Sequence, residues 1–343
     1  MNPAGQPTRL EAHQSSDGEA GDLASDLRRA RDLLAGATSA VLLAHVNPDA
    51  DALGSALALG LGLRRRGLTV AVSFAEPDRV PQSLAGLPGQ DLIVPPAELP
   101  AHPELLVTLD VGSANRLGSL QRLLPAAGRV LVIDHHRTNT RFGHDHLVDP
   151  GAEATGVLVV RLLDALGCRI DADMAAGLYA GLATDTVSFR QVTAATHRLA
   201  ARLVAAGARP AELLGPITDV HPFGWLDMLS GVLGRAVLVP DVVGDVPLVH
   251  TSVTLADARG LRAEEVDSVI DIVRTTAGAG VTAVAKQTAR DSWQVSLRSG
   301  GSVDVAAAAV ALGGGGHSWA AGFTHHGDYA SAVAKLVAAL SDR

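Results

Sequence analysis

The sequence predicts an α/β protein with two domains, an N-terminal one built on a doubly wound parallel sheet and a smaller C-terminal α+β one. In the first half, short apolar runs alternate with longer helix-like runs, which is typical of parallel strands buried on both faces. A Pro- and Gly-rich stretch follows, and from about residue 225 a new set of helices and strands begins. The length of 343 residues also favours two domains over one.

The elements of the first domain follow in chain order. Residues 22–36 are predicted to form an amphipathic helix, and strand 41–45, helix 52–66 and strand 69–74 make a βαβ unit. The later elements are a short strand near 91–94, buried strands at 105–109 and 129–133, and helices at 152–167, 172–183 and 194–207. In such a sheet, ligands bind beyond the carboxyl ends of the strands.

The domain boundaries are predicted from composition. Residues 1–21 are polar and contain Gly, Ser and Pro, so we expect a disordered tail and no targeting peptide. The first domain covers 22–209, a linker covers 210–225, and the second domain covers 226–343. The predicted elements of the second domain are a helix and a strand that ends at Pro240, strand 248–255, helix 262–275, and strands 280–287 and 292–298.

Composition excludes several classes of function. Although 47% of the residues are hydrophobic, no segment has the length and purity of a membrane span, so we expect no membrane partner. The single cysteine, Cys168, excludes an intramolecular disulfide framework and fits a reducing cytoplasm. A net charge of −8 offers no basic surface for gripping long duplex nucleic acid. An anionic substrate must therefore be held by a local device such as metal ions or a few arginines.

The stretch 45–55 contains the first group of candidate ligands. His45, Asp49 and Asp51 lie on the predicted loop between a buried strand and a helix, where open α/β sheets bind ligands. An Asp-rich turn that merely caps the helix is the alternative, and it would explain one aspartate taken alone. Two carboxylates and an imidazole together favour a metal or phosphate site.

Further candidate ligands follow other elements of the same domain. Asp110 ends the strand at 105–109, while Asp134, His135 and His136 follow the next strand, and Asp185 follows a helix. Converging carboxylates repel each other, and divalent cations remove that conflict. Oxygen ligands with some imidazole suit Mn²⁺ or Mg²⁺, with Zn²⁺ and Co²⁺ as alternatives. A pair of such ions can activate a water molecule for displacement at phosphorus.

These motifs, in this order, resemble the DHH phosphoesterase superfamily. The resemblance rests on the run from His45 to Ser55, on Asp110, on the Asp134-His135-His136 triplet and on Asp185. The run from Gly313 to His317, followed by Ala320-Ala321-Gly322, resembles the accompanying DHHA1 domain. In length and domain content the chain is similar to the bacterial nano-RNase/pAp phosphatase branch, and also to the cyclic di-AMP phosphodiesterases of actinobacteria.

The resemblance implies a role for each candidate residue. One metal ion would bind His45, Asp49 and Asp110, and a second would bind Asp51, Asp110, His135 and Asp185, so that Asp110 bridges the two ions. His136 would face the scissile phosphate as a hydrogen-bond donor or acid, and Asp134 would orient a histidine. One departure is visible, because Val187 stands where many relatives have glycine.

The resemblance also implies contacts to substrate phosphate. Arg116 follows Asp110 closely enough to reach a phosphate, or it is an ordinary loop arginine. The main chain of Gly314, Gly315 and Gly316 could approach an anion, with His317 as a further donor, although a glycine run by itself also suits a flexible linker. Arg298 ends a strand that could face the same cleft. The three tryptophans are expected in the core, although Trp319 is near enough to His317 for base stacking to remain open.

The implied activity is that of a manganese-dependent phosphoesterase acting on short nucleotide substrates. It would release 5′-mononucleotides from short oligoribonucleotides and convert 3′-phosphoadenosine 5′-phosphate (pAp) to AMP. The close alternative is hydrolysis of cyclic di-AMP or its linear product pApA, and from a different class comes a catalytically inactive nucleotide sensor. A pyrophosphatase and a RecJ-type exonuclease fit less well, and the resemblance also suggests a homodimer.

Overall fold

The structure is a computed structural model that describes residues 17–301 and 303–341. The predicted disordered tail falls mostly on residues 1–16, which lie outside the described residues. The first described element is helix α1 (Asp17–Gly36), which begins five residues before the predicted start at residue 22.

The N-terminal sheet confirms the predicted architecture. All its strand pairs are parallel, and its strands lie in the order β2-β1-β3-β4-β5. The strands are β1 (Ser39–Leu43), β2 (Thr69–Ser73), β3 (Leu105–Leu109), β4 (Arg129–Asp134) and β5 (Asp145–Val148). The strand order reverses between β1 and β3, which is where sheets of this topology bind ligands.

Two predictions for this sheet differ from the structure. Strand β5 was not predicted, because Asp145 and His146 interrupt the apolar pattern of its four residues. The strand predicted near 91–94 is wrong: Gln90–Leu92 is a 3-10 turn, and only Ile93 makes an isolated bridge, to Val72.

Helices cover the sheet and agree with the predicted ones to within a few residues. They are α2 (Ala50–Arg65), α3 (Thr155–Ala165), α4 (Ala172–Asp185) and α5 (Ala194–Ala206). Helix α2 is the most deeply placed, since every residue from Ala50 to Leu63 is buried. Leu53, Leu57 and Leu59 of α2 are part of one large core that also contains side chains from the sheet and from α3 and α4.

Helices α2 and α4 pack so closely that their main chains touch. A Cβ atom on Gly54 would lie 2.4 Å from the carbonyl oxygen of Gly177, and one on Gly177 would lie 2.7 Å from that of Gly54. One turn further along α4, a Cβ on Gly181 would lie 2.6 Å from Asp51 Oδ1. Glycine is therefore required at these positions for the two helices to approach each other.

The stretch that we predicted as a linker is largely helical. Helix α6 (Pro210–Leu214) is followed by a π-helical turn at Gly215–Asp219 and, after a few residues, by α7 (Gly224–Gly234). Pro210 is the first residue of α6, where a missing N–H costs nothing, so its presence marked a helix start and not a break. The division into domains at 209 and 226 remains our prediction.

The C-terminal part has a separate mixed sheet in the order β10-β11-β9-β8-β7-β6. Only β7 and β8 pair in parallel, and α8 (Ala263–Val273) lies in the crossover between them. The strands are β6 (Val237–Val243), β7 (Val246–Val253), β8 (Val281–Ala289), β9 (Ser292–Ser299), β10 (Gly315–His317) and β11 (Ala320–His326). Pro240 does not end β6, because β6 is an edge strand and tolerates a residue without an N–H.

Several C-terminal elements were not predicted. They are α9 (Val305–Ala311), strands β10 and β11, and α10 (Tyr329–Ser341). The glycine run that suggested a loop therefore ends inside a strand, since Gly315 pairs with Gly322 and Gly316 with Ala321. In the described part of the chain, no helix combines the length and the apolar character needed to span a membrane.

The contact between α2 and α4 can be tested with Gly177→Ala. The added methyl group has no room, so we expect the free energy of unfolding to fall by about 1–3 kcal/mol, as for other overpacked cores. Chemical denaturation measures the change. Gly86→Ala is the control, because a Cβ there meets nothing within 4 Å. Equal stability of wild type and Gly177→Ala would contradict the tight crossing.

Candidate active site

The predicted ligand residues gather where three neighbouring strands of the first sheet end. His45 lies just beyond β1, Asp110 directly follows β3, and His135 directly follows β4. Asp185, the last residue of α4, reaches the same place from the helix layer, with Oδ2 3.1 Å from His135 Nε2. The structure thus brings together all six residues that the sequence suggested as metal ligands.

The first ligand group consists of His45, Asp49 and Asp110, whose ligand atoms lie within 4.8 Å of one another. His45 Nε2 is 3.6 Å from Asp49 Oδ2 and 3.5 Å from Asp110 Oδ2. His45 Nδ1 lies 2.8 Å from the carbonyl oxygen of Val46, so Nε2 is the ring nitrogen that faces the two carboxylates.

Asp49 performs two tasks with its two oxygens. Oδ1 caps α2 by accepting from the N–H groups of Asp51 and Ala52, while Oδ2 faces His45. The helix-capping and ligand interpretations of this aspartate are therefore compatible.

The second ligand group consists of Asp51, Asp110 and His135, again within 4.8 Å of one another. His135 Nδ1 lies 3.1 Å from the carbonyl oxygen of Ala152. His135 Nε2 is buried and has no partner in hydrogen-bond geometry, although it lies 3.4 Å from Asp110 Oδ1. A buried ring nitrogen without a partner, aimed at two carboxylates, fits a bound cation.

Thr155 connects the two ligand groups and was not predicted as a site residue. Its hydroxyl donates to Asp110 Oδ1 at 2.9 Å, and its backbone N–H donates to Asp51 Oδ2 at 2.6 Å. The N–H of Gly156 donates to Asp51 Oδ1 at 2.9 Å. The start of α3 is therefore the anchor for the Asp51 carboxylate, as expected for an anion at a helix N-terminus. The sequence offered only a weak signal, a small polar residue near the start of a predicted helix.

The backbone is strained at the site. Asp110 and Asn47 have left-handed φ angles of 61° and 53°, which non-glycine residues rarely adopt. After Asp185, the three residues Val187, Ser188 and Phe189 have φ angles of 53°, 54° and 62°. Val187 is β-branched, so it adopts at some cost a conformation that glycine would adopt freely. Such strain is typical of functional sites.

Asp134 holds His136, and the ligand atoms of Asp134, His136 and Asp110 also lie within 4.8 Å of one another. It is fully buried, and its Oδ1 lies 2.7 Å from His136 Nδ1 and accepts from the His135 N–H at 2.8 Å. The side chain of Asn139 donates to its other oxygen. His136 is therefore fixed through Nδ1, and Nε2 remains its free ring nitrogen.

The pKa values at the site show the cost of gathering carboxylates. Burial raises the pKa of Asp51 well above its usual range, and the charges of Asp185 and Asp110 add to the shift. Burial likewise raises the pKa of Asp185 to about 6. Burial opposes a charged His45, but the carboxylates of Asp110 and Asp49 outweigh it and raise the pKa of its imidazole to about 10. Without cations, protons must balance the clustered charge.

The C-terminal part covers this cluster with His317. The His317 ring centroid lies 4.7 Å from that of His136, in a stacked arrangement, and 4.9 Å from that of His135. Burial, with the neighbouring histidine charges, lowers the pKa of His317 to about 3, so its ring is neutral. Its Nδ1 is buried and has no hydrogen-bond partner among the residues that the structure describes.

The three glycines before His317 have different roles in the packing. A Cβ on Gly314 would lie 2.0 Å from the carbonyl oxygen of Gly322, and one on Gly316 would lie 2.5 Å from that of Ala320. Both glycines are thus needed for β10 to pack on β11. Gly315 instead faces the first domain, because its Cβ would lie 3.3 Å from Thr138 Oγ1.

The two candidate arginines come from different parts of the chain, Arg116 from the first domain and Arg298 from the C-terminal sheet. Arg116 comes from the segment after β3, and its Nη2 is 3.2 Å from His45 Nδ1. Arg298, near the end of β9, donates through Nη1 to the carbonyl oxygen of Leu297. Burial lowers the pKa of Arg298, and carboxylates including Asp271 and Asp185 oppose that shift. The guanidinium of Arg298 therefore interacts electrostatically with Asp185 of the ligand cluster.

A parallel α/β sheet that carries two joined carboxylate–imidazole groups, covered by a second sheet, defines a class of metal-dependent hydrolases. Two family models match the chain: the N-terminal domain of the DHH family over residues 39–182 and the DHHA1 domain over residues 246–343. The chain belongs to the DHH family of phosphoesterases, which confirms the resemblance found in the sequence.

Two characterised relatives and one solved structure illustrate the range of similarity. The bifunctional oligoribonuclease and PAP phosphatase NrnA of Thermus thermophilus is 34% identical over 285 residues, or 82% of this chain and 83% of that protein. The cyclic-di-AMP phosphodiesterase GdpP of Bacillus subtilis is 25% identical over 303 residues, or 84% of this chain but only 45% of that protein. An exopolyphosphatase-related protein of Bacteroides fragilis has a TM-score of 0.79 at 21% identity, covering 92% of this chain and 96% of that one, which shows a shared fold.

The link made by Thr155 can be tested with Thr155→Val, which keeps the shape and removes the hydroxyl. Asp110 then loses a donor, and we expect the affinity for a divalent metal ion to fall about 10- to 100-fold, as when other outer partners of metal ligands are removed. Titration calorimetry with Mn²⁺ measures the affinity. Thr155→Ser keeps the hydroxyl and is the matched control. Equal Mn²⁺ affinity of wild type and Thr155→Val would show that the hydroxyl does not support the ligands.

Proposed function

We propose that the protein is a metal-dependent phosphoesterase that hydrolyses short oligoribonucleotides to 5′-mononucleotides and converts pAp to AMP. The observation that carries the proposal is the pair of ligand groups joined at Asp110 and covered by His317 from the second sheet. The relative that is 34% identical, an oligoribonuclease and PAP phosphatase, supports the same substrates.

The proposal assigns two divalent ions to the two ligand groups. His45, Asp49 and Asp110 would hold one ion, and the second would be held by Asp51, Asp110, His135 and Asp185. The donors fit such ions, because the carboxylates repel each other without them and His135 Nε2 lacks a partner. When bound, the ions would polarise the phosphoryl oxygens and activate the attacking water. The oxygen-rich donor set suits Mn²⁺ first, with Mg²⁺ or Co²⁺ as alternatives.

The protein side chains around the ions would bind and orient the substrate. His136, fixed by Asp134, would present Nε2 to the scissile phosphate as a donor or acid. The neutral His317, stacked against His136, would contact the same phosphate, together with the main chain around Gly315. Arg116 and Arg298 would bind flanking phosphates, since a guanidinium matches phosphate geometry.

The enclosure of the site favours short substrates. The second domain contacts the first near the ligand cluster, at Gly315 and Thr138. It also contacts it further away, where Arg262 Nη1 donates to Gln82 Oε1 at 2.8 Å and the Ser83 N–H donates to Glu264 at 3.2 Å. Because the two domains touch both near the ligand cluster and further away, we infer a substrate of a few nucleotides rather than a duplex. The net charge of −8 gives no general attraction for long nucleic acid.

A second candidate substrate is cyclic di-AMP, or its linear product pApA. It is supported by the match to GdpP, in which this chain corresponds to less than half of that protein's length. The two candidates place the same phosphodiester chemistry at the same ligands, so the relative rates on cyclic di-AMP and on the linear substrates distinguish them.

Product analysis tests the proposed substrates. Wild-type protein with Mn²⁺ is given pApA, pAp and cyclic di-AMP in parallel, and we expect rapid AMP release from the first two with little loss of the cyclic dinucleotide. Asp110→Asn keeps the shape but removes the shared charged ligand, so turnover should fall about 10²-fold or more, as when an electrostatic contribution to the transition state is lost. Faster opening of cyclic di-AMP than cleavage of pApA would favour the second candidate. No turnover of any of the three would point to a nucleotide sensor.

Metal removal gives an independent prediction. Chelator-treated protein presents carboxylates without cations, and these repel the phosphate of AMP. We therefore expect its affinity for AMP to be at least about tenfold weaker. Titration calorimetry before and after chelation, and after Mn²⁺ is restored, measures the change. Unchanged AMP affinity after chelation would contradict a phosphate site built on metal ions.

A further inference from the structure

We propose that Trp319 is a stacking platform for a nucleobase of the substrate, at the edge of the cleft beside His317. This inference rests on the proposed function, since it concerns the nucleoside part of a substrate whose phosphate lies at the ligand cluster. The structure places Trp319 in a row of rings: its indole stacks on His317 at a centroid distance of 5.0 Å and an angle of 9°, and His317 stacks on His136.

Trp319 has no role in the hydrophobic core, contrary to what we expected from the sequence. It belongs to none of the four hydrophobic clusters found among the described residues. Trp293, by contrast, is 6% exposed and donates its indole N–H to the carbonyl oxygen of Gly327. Trp225 packs against the core beneath α7 and α8 and donates to Ser268 Oγ. Within the described part of the chain, the indole N–H of Trp319 has no such acceptor.

The backbone that carries Trp319 is firmly held. His317 pairs with Ala320, so Ser318 and Trp319 form the two-residue turn between β10 and β11. The carbonyl oxygen of Trp319 accepts from the Ser299 N–H at 2.9 Å, and that of Ser318 accepts from the Val305 N–H at 3.0 Å. A large aromatic ring that is partly exposed to water gains free energy when a flat ligand covers it. Because the turn is fixed, the ring loses little conformational entropy on binding.

The position of Trp319 suits the base of a nucleotide. Trp319 is one ring beyond His317, which itself lies against the phosphate-facing His136. When the phosphate of a nucleotide is held at the ligand cluster, its base lies one sugar away from that phosphate, on the side where Trp319 would meet it. An indole accepts the face of any base, so this contact would select nucleotides over other phosphate esters without selecting one sequence.

The test compares a substrate that has a base with one that lacks it. Wild type, Trp319→Leu and Trp319→Phe, each loaded with Mn²⁺, are assayed with pAp and with ribose 3,5-bisphosphate. For Trp319→Leu we expect KM for pAp to rise about 5- to 100-fold, the range for loss of one stacked base, with KM for the base-free compound unchanged. Trp319→Phe should recover most of the loss, and Trp225→Leu, the matched control, should leave both KM values as in wild type.

The other outcomes overturn the proposal. An equal effect of Trp319→Leu on both substrates would mean that the indole acts by positioning His317, and no effect on either would mean that it touches no substrate. If wild type turns over neither compound, the proposed function fails, but stacking is still tested by fluorescence. AMP should then quench the emission of wild type, ribose 5-phosphate should not, and Trp319→Leu should show no quenching by AMP; equal quenching in that variant would refute the platform.

Discussion

The close contact between α2 and α4 is the constraint on which the site depends. Because Gly54 and Gly177 let the two main chains touch, Asp51 at the start of α2 lies near Asp185 at the end of α4. The same approach presses Gly181 against the Asp51 side chain. These carboxylates come from helices that the sheet alone would not bring together. The close crossing of α2 and α4 thus concentrates carboxylates at the edge of the sheet.

Such a concentration of charge is stable only if each carboxylate has other partners. The fold supplies them as hydrogen-bond donors: N–H groups at the start of α3 donate to Asp51, N–H groups at the start of α2 donate to Asp49, and the Thr155 hydroxyl donates to Asp110. Every one of these donors occupies one oxygen or one lone pair and leaves another for a cation. The negative charge that stays unbalanced raises the pKa of Asp51, because burial and the neighbouring carboxylates oppose its ionisation. Metal ions would complete an arrangement that the protein has already oriented.

The sequence was most informative where chemistry and burial coincide. Apolar strands that end in Asp110 or in Asp134-His135-His136 are recognisable because parallel strands must place those ends together. The sequence was least informative where tertiary contacts decide the local structure. Strand β10 looks like a flexible glycine run, yet Gly314 and Gly316 are glycines because β11 lies too close for a side chain. Thr155 has no motif of its own, since its role exists only once α3 begins beside strands that are distant in the chain.

The two halves of the cleft differ in what they can distinguish. The first domain offers carboxylates, imidazoles and Arg116, a set that would bind phosphate and divalent ions but would carry little information about what the phosphate is attached to. The C-terminal part adds a neutral imidazole at His317, a guanidinium at Arg298 and the indole of Trp319. Relatives that share both domains bear names with different substrates, an oligoribonuclease and PAP phosphatase in one case and a cyclic-di-AMP phosphodiesterase in the other. If the ligand groups perform the same hydrolysis throughout, we infer that the choice of nucleotide depends largely on the C-terminal part, because an indole and a guanidinium can contact the base and the flanking phosphates of a substrate.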